Sequence, residues 1–148
     1  MKYFVYFSYT GNGNYLASLL KEKGYEPVKV ETLKPMKKVN FFRILKYGGR
    51  AMAGKREPIK DYSLDLKEND EVIIGSPIWN DRLSTPILSV LDKLSLNKET
   101  TKFILYPAGL TTNKSKEQIK KMGFKENILV VPYPTKYQDG TKTLLENL

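Results

Sequence analysis

The stretch Met1-Lys2-Tyr3-Phe4-Val5-Tyr6-Phe7-Ser8-Tyr9-Thr10-Gly11-Asn12-Gly13-Asn14-Tyr15-Leu16-Ala17 decides the fold. Residues 2–7 form a near-continuous apolar run, the pattern of a strand covered on both faces. A Gly/Asn turn follows, and then Tyr15, Leu16, Leu19 and Leu20 share one face of a helix over residues 14–23. Gly24 closes that helix.

The alternation continues outward. Residues 26–30 predict a second strand, and residues 31–40, with Pro35, a surface connection. Phe41, Phe42, Leu45, Gly49 and Met52 have helical spacing, and Gly48-Gly49 either weakens that helix or lets it approach a neighbour closely. Residues 71–76 are the clearest buried strand. Ser84-Thr85-Pro86 supplies a cap and a first-turn proline for a helix carrying Ile87, Leu88, Leu91 and Leu94. Residues 101–106 and 127–131 predict the last two strands, separated by a lysine-rich helix over 114–121. After Pro134 there is room for one short helix at most.

This pattern predicts a single α/β domain over residues 1–148, a parallel sheet of five strands covered on both faces. In such sheets the ligand lies beyond the carboxyl ends of the strands, where the strand order reverses. For order 2-1-3-4-5 that rule selects the loops after Phe7 and Gly75.

Composition narrows the chemistry. The 148 residues contain no Cys and no His, which excludes thiolate nucleophiles, disulfides, Cys/His zinc sites and histidine general bases. A redox protein of this composition must take its electron chemistry from a bound cofactor. No apolar run approaches the ~20 residues of a membrane span, the amino terminus has no signal-peptide core, and a cytoplasmic location is expected. The net charge of +9 is concentrated: Lys34, Lys37, Lys38, Arg43, Lys46, Arg50, Lys55, Arg56 and Lys60 face only Glu57 within their stretch. An electropositive face is expected. It has no interleaved aromatic platform of the kind that binds nucleic acid.

The 8–14 loop suits a phosphate monoester. Ser8 and Thr10 offer hydroxyls, Gly11 and Gly13 permit unusual backbone angles, and the helix contributes the positive end of its dipole. It lacks the Gly-Lys-Ser/Thr ending of a P-loop, and Leu16 stands where the dinucleotide fingerprint needs glycine. Taken alone, the loop reads equally as a phosphate site or as an ordinary strand-to-helix turn.

With its neighbours the run resembles the phosphate-binding signature of the flavodoxin family, Ser/Thr-x-Thr-Gly-Asn-Thr. Ser8, Thr10, Gly11 and Asn12 match; Gly13 replaces a threonine whose hydroxyl the family turns to the phosphate, and Asn14 offers a side-chain amide instead. Gly75-Ser76-Pro77-Ile78-Trp79-Asn80-Asp81-Arg82 resembles the family's segment after the third strand.

The resemblance implies a flavodoxin-like three-layer α/β/α sandwich of the short-chain type. It also implies flavin mononucleotide (FMN) held by Ser8, Tyr9, Thr10, Gly11, Asn12, Gly13 and Asn14 at the phosphate. Pro77, Ile78, Trp79, Asn80 and Asp81 would lie along the isoalloxazine ring, and Ala108, Gly109 and Leu110 on its pyrimidine side. The face opposite Trp79 is then open, or covered by Leu110 or a partner.

The implied function is electron transfer between redox partner proteins, including acidic ones docking on the 34–60 face, with no catalytic residue and no metal of its own. Two alternatives stand beside it: a small FMN-dependent NAD(P)H or quinone oxidoreductase, and an interaction domain of this fold that has lost FMN.

Overall fold

The strands are built from residues that alternate between two apolar cores. In β1 (Lys2–Tyr6), Phe4 and Tyr6 point to one side while Val5, and Phe7 just beyond, point to the other. In β3 (Glu71–Trp79) Ile73 opposes Val72 and Ile74. In the strand Lys102–Tyr106, Ile104 and Tyr106 oppose Phe103 and Leu105. Each face therefore needs its own layer of helices. α1 (Asn12–Glu22) covers the first face with Leu16, Ala17 and Leu20; α3 (Thr85–Lys93) covers the second with Ile87, Leu88 and Val90.

This computed structural model describes residues 1–37, 41–108 and 111–148. The chain adds β2 (Glu26–Lys29), α2 (Phe41–Met52), β4 (Arg82–Leu83), β5 (Lys102–Tyr106), α4 (Asn113–Lys121), β6 (Ile128–Val130) and α5 (Gln138–Leu145). The parallel strands lie in the order β2-β1-β3-β5-β6. Numbered among themselves, they are the 2-1-3-4-5 arrangement that the sequence implies. The sixth strand, β4, is an addition that pairs antiparallel with the end of β3.

Two local departures shape the switch point. First, β3 does not stop at Ser76 but runs through Pro77 to Trp79. Gly75 accepts a bond from Phe7 N–H, so Pro77, two residues on, has its missing N–H directed to the same side. There β1 has already ended, and no ladder bond is lost. Second, α1 begins at Asn12, two residues early, so Asn12, Gly13 and Asn14 form its first turn.

Gly75 is required by packing: a Cβ there would lie 2.6 Å from Phe4 ring atoms and 3.0 Å from Tyr6 Cβ. Ser84 does sit at the N-cap of α3, with Pro86 in the first turn, but its hydroxyl makes no capping bond. It meets Ser76 Oγ at 3.0 Å instead, and Ser76 Oγ also accepts Ser84 N–H. That cluster joins the base of the β3–β4 hairpin to the start of α3.

Candidate functional site

Three loops meet at the carboxyl ends of β1, β3 and β5. The 8–14 loop turns on Gly11, the N-cap of α1, whose φ of 95° lies in the left-handed region where glycine is favoured. Asn14 N–H donates to Ser8 Oγ (3.2 Å), and Tyr15 N–H closes onto the Gly11 carbonyl (3.1 Å). Asn12 and Gly13 occupy the first helical positions, where N–H groups have no acceptor within the helix. Asn12 Nδ2 donates to Thr10 Oγ1 at 3.4 Å. Ser8 and Thr10 therefore each accept a bond and keep a hydroxyl proton to donate, which suits an anion.

Gly13 does not behave as its sequence position suggests. It is helical and buried, with no unusual backbone angle; what it supplies is room. A Cβ there would lie 2.9 Å from each of Phe7 O, Ser8 Cβ and Tyr106 Oη. The Tyr106 hydroxyl, buried at the end of β5, donates to the Phe7 carbonyl and fills the space that a larger residue at 13 would need. Burial and the nearby Tyr6 push the Tyr106 pKa well up, so it remains a donor. Asn14 compensates only in part: its Oδ1 accepts from Tyr6 OH at 3.3 Å, leaving Nδ2 to donate elsewhere. Asn12 Oδ1 is turned to Thr135, accepting its hydroxyl at 2.8 Å and its N–H at 3.3 Å. Thr135 thus braces the loop from the segment after β6, a contact 123 residues away in sequence that local pattern does not reveal.

The second loop is a tight hairpin. Ile78 pairs with Leu83 and Trp79 with Arg82, leaving Asn80 and Asp81 as a two-residue turn with φ of 49° and 60°. Positive φ at both positions defines the turn type whose twist matches a hairpin, and Asn and Asp tolerate it best after glycine. Trp79 is wrapped by rings: Phe7 edge-on at 5.8 Å, Tyr9 edge-on at 6.0 Å, and Tyr47 of α2 stacked at 5.7 Å with 24° between planes. Tyr9 also meets Tyr47 edge-on at 5.6 Å and donates its hydroxyl to the Lys37 carbonyl. Burial foremost, then the neighbouring Tyr47, raises the Tyr9 pKa, while Arg43 pulls the other way.

Tyr47 is the aromatic residue that the sequence did not expose. It directly precedes Gly48-Gly49, in no recognisable motif, and it reaches Trp79 because Gly48 lets α2 approach the hairpin. A Cβ on Gly48 would stand 3.3 Å from Asn80 Cβ, whereas Gly49 faces open space. Asn80 Nδ2 also meets Met52 Sδ at 3.4 Å. One side of Trp79 is thus occupied by Tyr47 of α2.

The third loop is joined to the second through Asp81. Its Oδ2 accepts the Thr111 hydroxyl at 2.7 Å and Lys114 N–H at 3.2 Å, capping α4 from outside the helix, while its buried Oδ1 has no hydrogen-bond partner among the described residues. Leu83 N–H donates to Gln118 on the same helix at 2.9 Å. Ala108 is exposed beside these contacts, and Gly109 and Leu110 lie outside the described residues. A 480 Å³ cleft beside Val28 and Tyr62, and a 330 Å³ cleft beside Val72 and Thr101, lie away from this switch point.

Together, the strand order and the three loops define a flavodoxin-like fold. No family model matches the chain, and no curated protein does. Solved structures do. A candidate flavoprotein from Bacteroides eggerthii DSM 20697 is 21% identical, with a TM-score of 0.70 over 99% of this chain and 96% of that one. A flavoprotein from Lactobacillus acidophilus NCFM, solved in complex with FMN, is 19% identical, with a TM-score of 0.66 over 93% and 96%. The apo-form of the flavoprotein from Lactobacillus acidophilus NCFM is 18% identical, with a TM-score of 0.62 over 92% and 95%. Likeness at these identities establishes the fold.

Proposed function

We propose that the protein binds FMN at this switch point and works as an electron carrier between redox partner proteins. The observation that carries this reading is the convergence of an anion cradle and an aromatic cluster. Gly11, Ser8 and Thr10 build the first; Trp79, Tyr9 and Tyr47 build the second, 5.6–6.0 Å apart ring to ring. The solved complex of a same-fold protein with FMN supports it.

FMN would supply one- and two-electron chemistry. The chain would supply binding and orientation. Ser8, Thr10 and the N–H groups opening α1 would hold the phosphate, with no cation in the loop itself. Pro77, Ile78, Trp79 and the Asn80–Asp81 backbone would lie along the ring, with Ala108, Gly109 and Leu110 on the pyrimidine side. Tyr6, Tyr9 and Tyr106, all with raised pKa values, keep their protons and act as hydrogen-bond donors.

Purified protein is expected to be yellow with a flavin spectrum, or to become so on adding FMN. A colourless preparation that FMN cannot reconstitute overturns the reading in favour of an interaction domain of this fold. Direct oxidation of NAD(P)H with turnover would replace the carrier by a reductase.

A further inference from the structure

The outer face of α2 carries chemistry that the site does not use. Phe42, Leu45 and Met52 are 78%, 59% and 57% exposed, and Gly49 between them is also exposed. At about 100° per residue these four positions fall within ~80° of helix circumference, so they form one stripe. Its inner neighbours, Gly48 and Ala51, are buried. The helical spacing legible in the sequence is therefore real, but it marks the outside of the helix rather than a core stripe. Of Phe41 only the backbone is described.

The cations of this stretch divide into those held in ion pairs and those left exposed. Arg50 is tied to Glu57 at 2.6 Å, Arg56 to Asp92 at 2.7 Å, and Lys60 to Glu31 at 3.7 Å. Lys34, Lys37, Lys46 and Lys55 are exposed and make no ion pair among the described residues. Lys46 directly follows Leu45, about 40° around the helix from Phe42. A convex apolar ridge edged by lysines differs from a protein docking site, where arginine is enriched and lysine depleted. It matches a helix lying in a membrane interface, its apolar side chains among the acyl chains and its lysines on anionic headgroups. No described helix is long and apolar enough to cross a bilayer, so the contact is peripheral.

We propose that α2 docks the protein onto anionic lipid bilayers through Phe42, Leu45 and Met52, with Lys46 and Lys55 engaging the headgroups. Met52 touches Asn80 of the hairpin, so docking brings the Trp79 loop to the lipid surface. This inference does not depend on FMN.

Flotation of the full chain with phosphatidylglycerol/phosphatidylcholine vesicles tests it, beside pure phosphatidylcholine vesicles and with circular dichroism as a folding control. The protein is expected to float with the anionic vesicles at low salt and not with the neutral ones. Lys46→Gln should lower partitioning about fivefold, the effect of one cation near an anionic surface. Leu45→Ser/Met52→Ser should lower it at least ~tenfold, since both side chains lose their apolar burial. No flotation at low salt overturns the proposal, as does undiminished flotation of the folded serine variant. Self-association of the wild type that the serine variant abolishes, without vesicle binding, would assign the stripe to a second copy. Retention on an immobilised acidic ferredoxin, without vesicle binding, would assign it to a protein partner.

Discussion

Replacing Gly13 with Ala isolates the feature that separates this loop from the flavodoxin signature. In an ordinary helix the substitution would stabilise by up to about 1 kcal/mol. Here the new methyl would lie 2.9 Å from Phe7 O, Ser8 Cβ and Tyr106 Oη. None of the three is the free end of a flexible chain: one is backbone, one is next to backbone, and the third is held by its bond to the first. Overpacking of this kind costs about 1–3 kcal/mol, and contact on three sides argues for ~3. Setting the helix gain against it leaves a net loss of about 2 kcal/mol, or a Tm lower by ~4–8 °C for a chain of this size.

Urea unfolding of the ligand-free protein gives the comparison directly. Tyr106→Phe removes one of the three crowding atoms but leaves the Phe7 carbonyl without its donor, costing about 1–3 kcal/mol alone. The double variant should therefore be less destabilised than the sum of the singles, by ~1 kcal/mol. A stabilised Gly13→Ala protein, or simple additivity, would refute the assignment of Gly13 to close packing.

Other outcomes follow from the same geometry. Asp81→Ala should cost about 2 kcal/mol, combining a lost helix cap with a left-handed φ that alanine resists; Asp81→Gly should recover the backbone part in thermal unfolding. Tyr47→Ala should shift the emission of Trp79, the sole tryptophan, to longer wavelength as its stacked neighbour is removed; unchanged emission would contradict the Tyr47–Trp79 contact. Glu71 is held below its ordinary pKa of 4.5 first by the Tyr25 hydroxyl and then by Lys102. A lowered folded pKa stabilises above the unfolded value and is lost as pH falls through the folded one. Glu71→Gln should thus cost about 1 kcal/mol at pH 7, with the gap closing below pH ~4. With FMN bound, the basic surface should favour the reduced anion. Raising salt, which shortens the screening length from ~30 Å at 0.01 M to ~3 Å at 1 M, should move the midpoint potential to more negative values; a salt-independent midpoint would contradict this.

The parallel order and the switch point were legible because the strands are short apolar runs with both faces buried. Phe4 and Val5 announce two cores whatever lies beyond them. Ser8, Thr10 and Gly11 were legible because their chemistry is local to one turn. What local pattern could not show was contact. Tyr106 crowding Gly13, Thr135 bracing Asn12 and Tyr47 stacking on Trp79 each join residues far apart in sequence. Pro77 looked like the end of a strand, but proline is tolerated within one where the neighbouring strand has stopped. The α2 stripe had the right period; period alone does not say which side of a helix faces solvent.

The central claim is that the 8–14 loop holds the phosphate of FMN while Trp79 lies against the ring. Titrating the ligand-free protein with FMN and, separately, with riboflavin tests both halves, because riboflavin keeps the ring and lacks the phosphate. FMN should quench both Trp79 and flavin emission, and riboflavin should bind at least ~tenfold more weakly, a difference of about 1.4 kcal/mol. Equal affinity for the two, or no binding of FMN, would contradict the account.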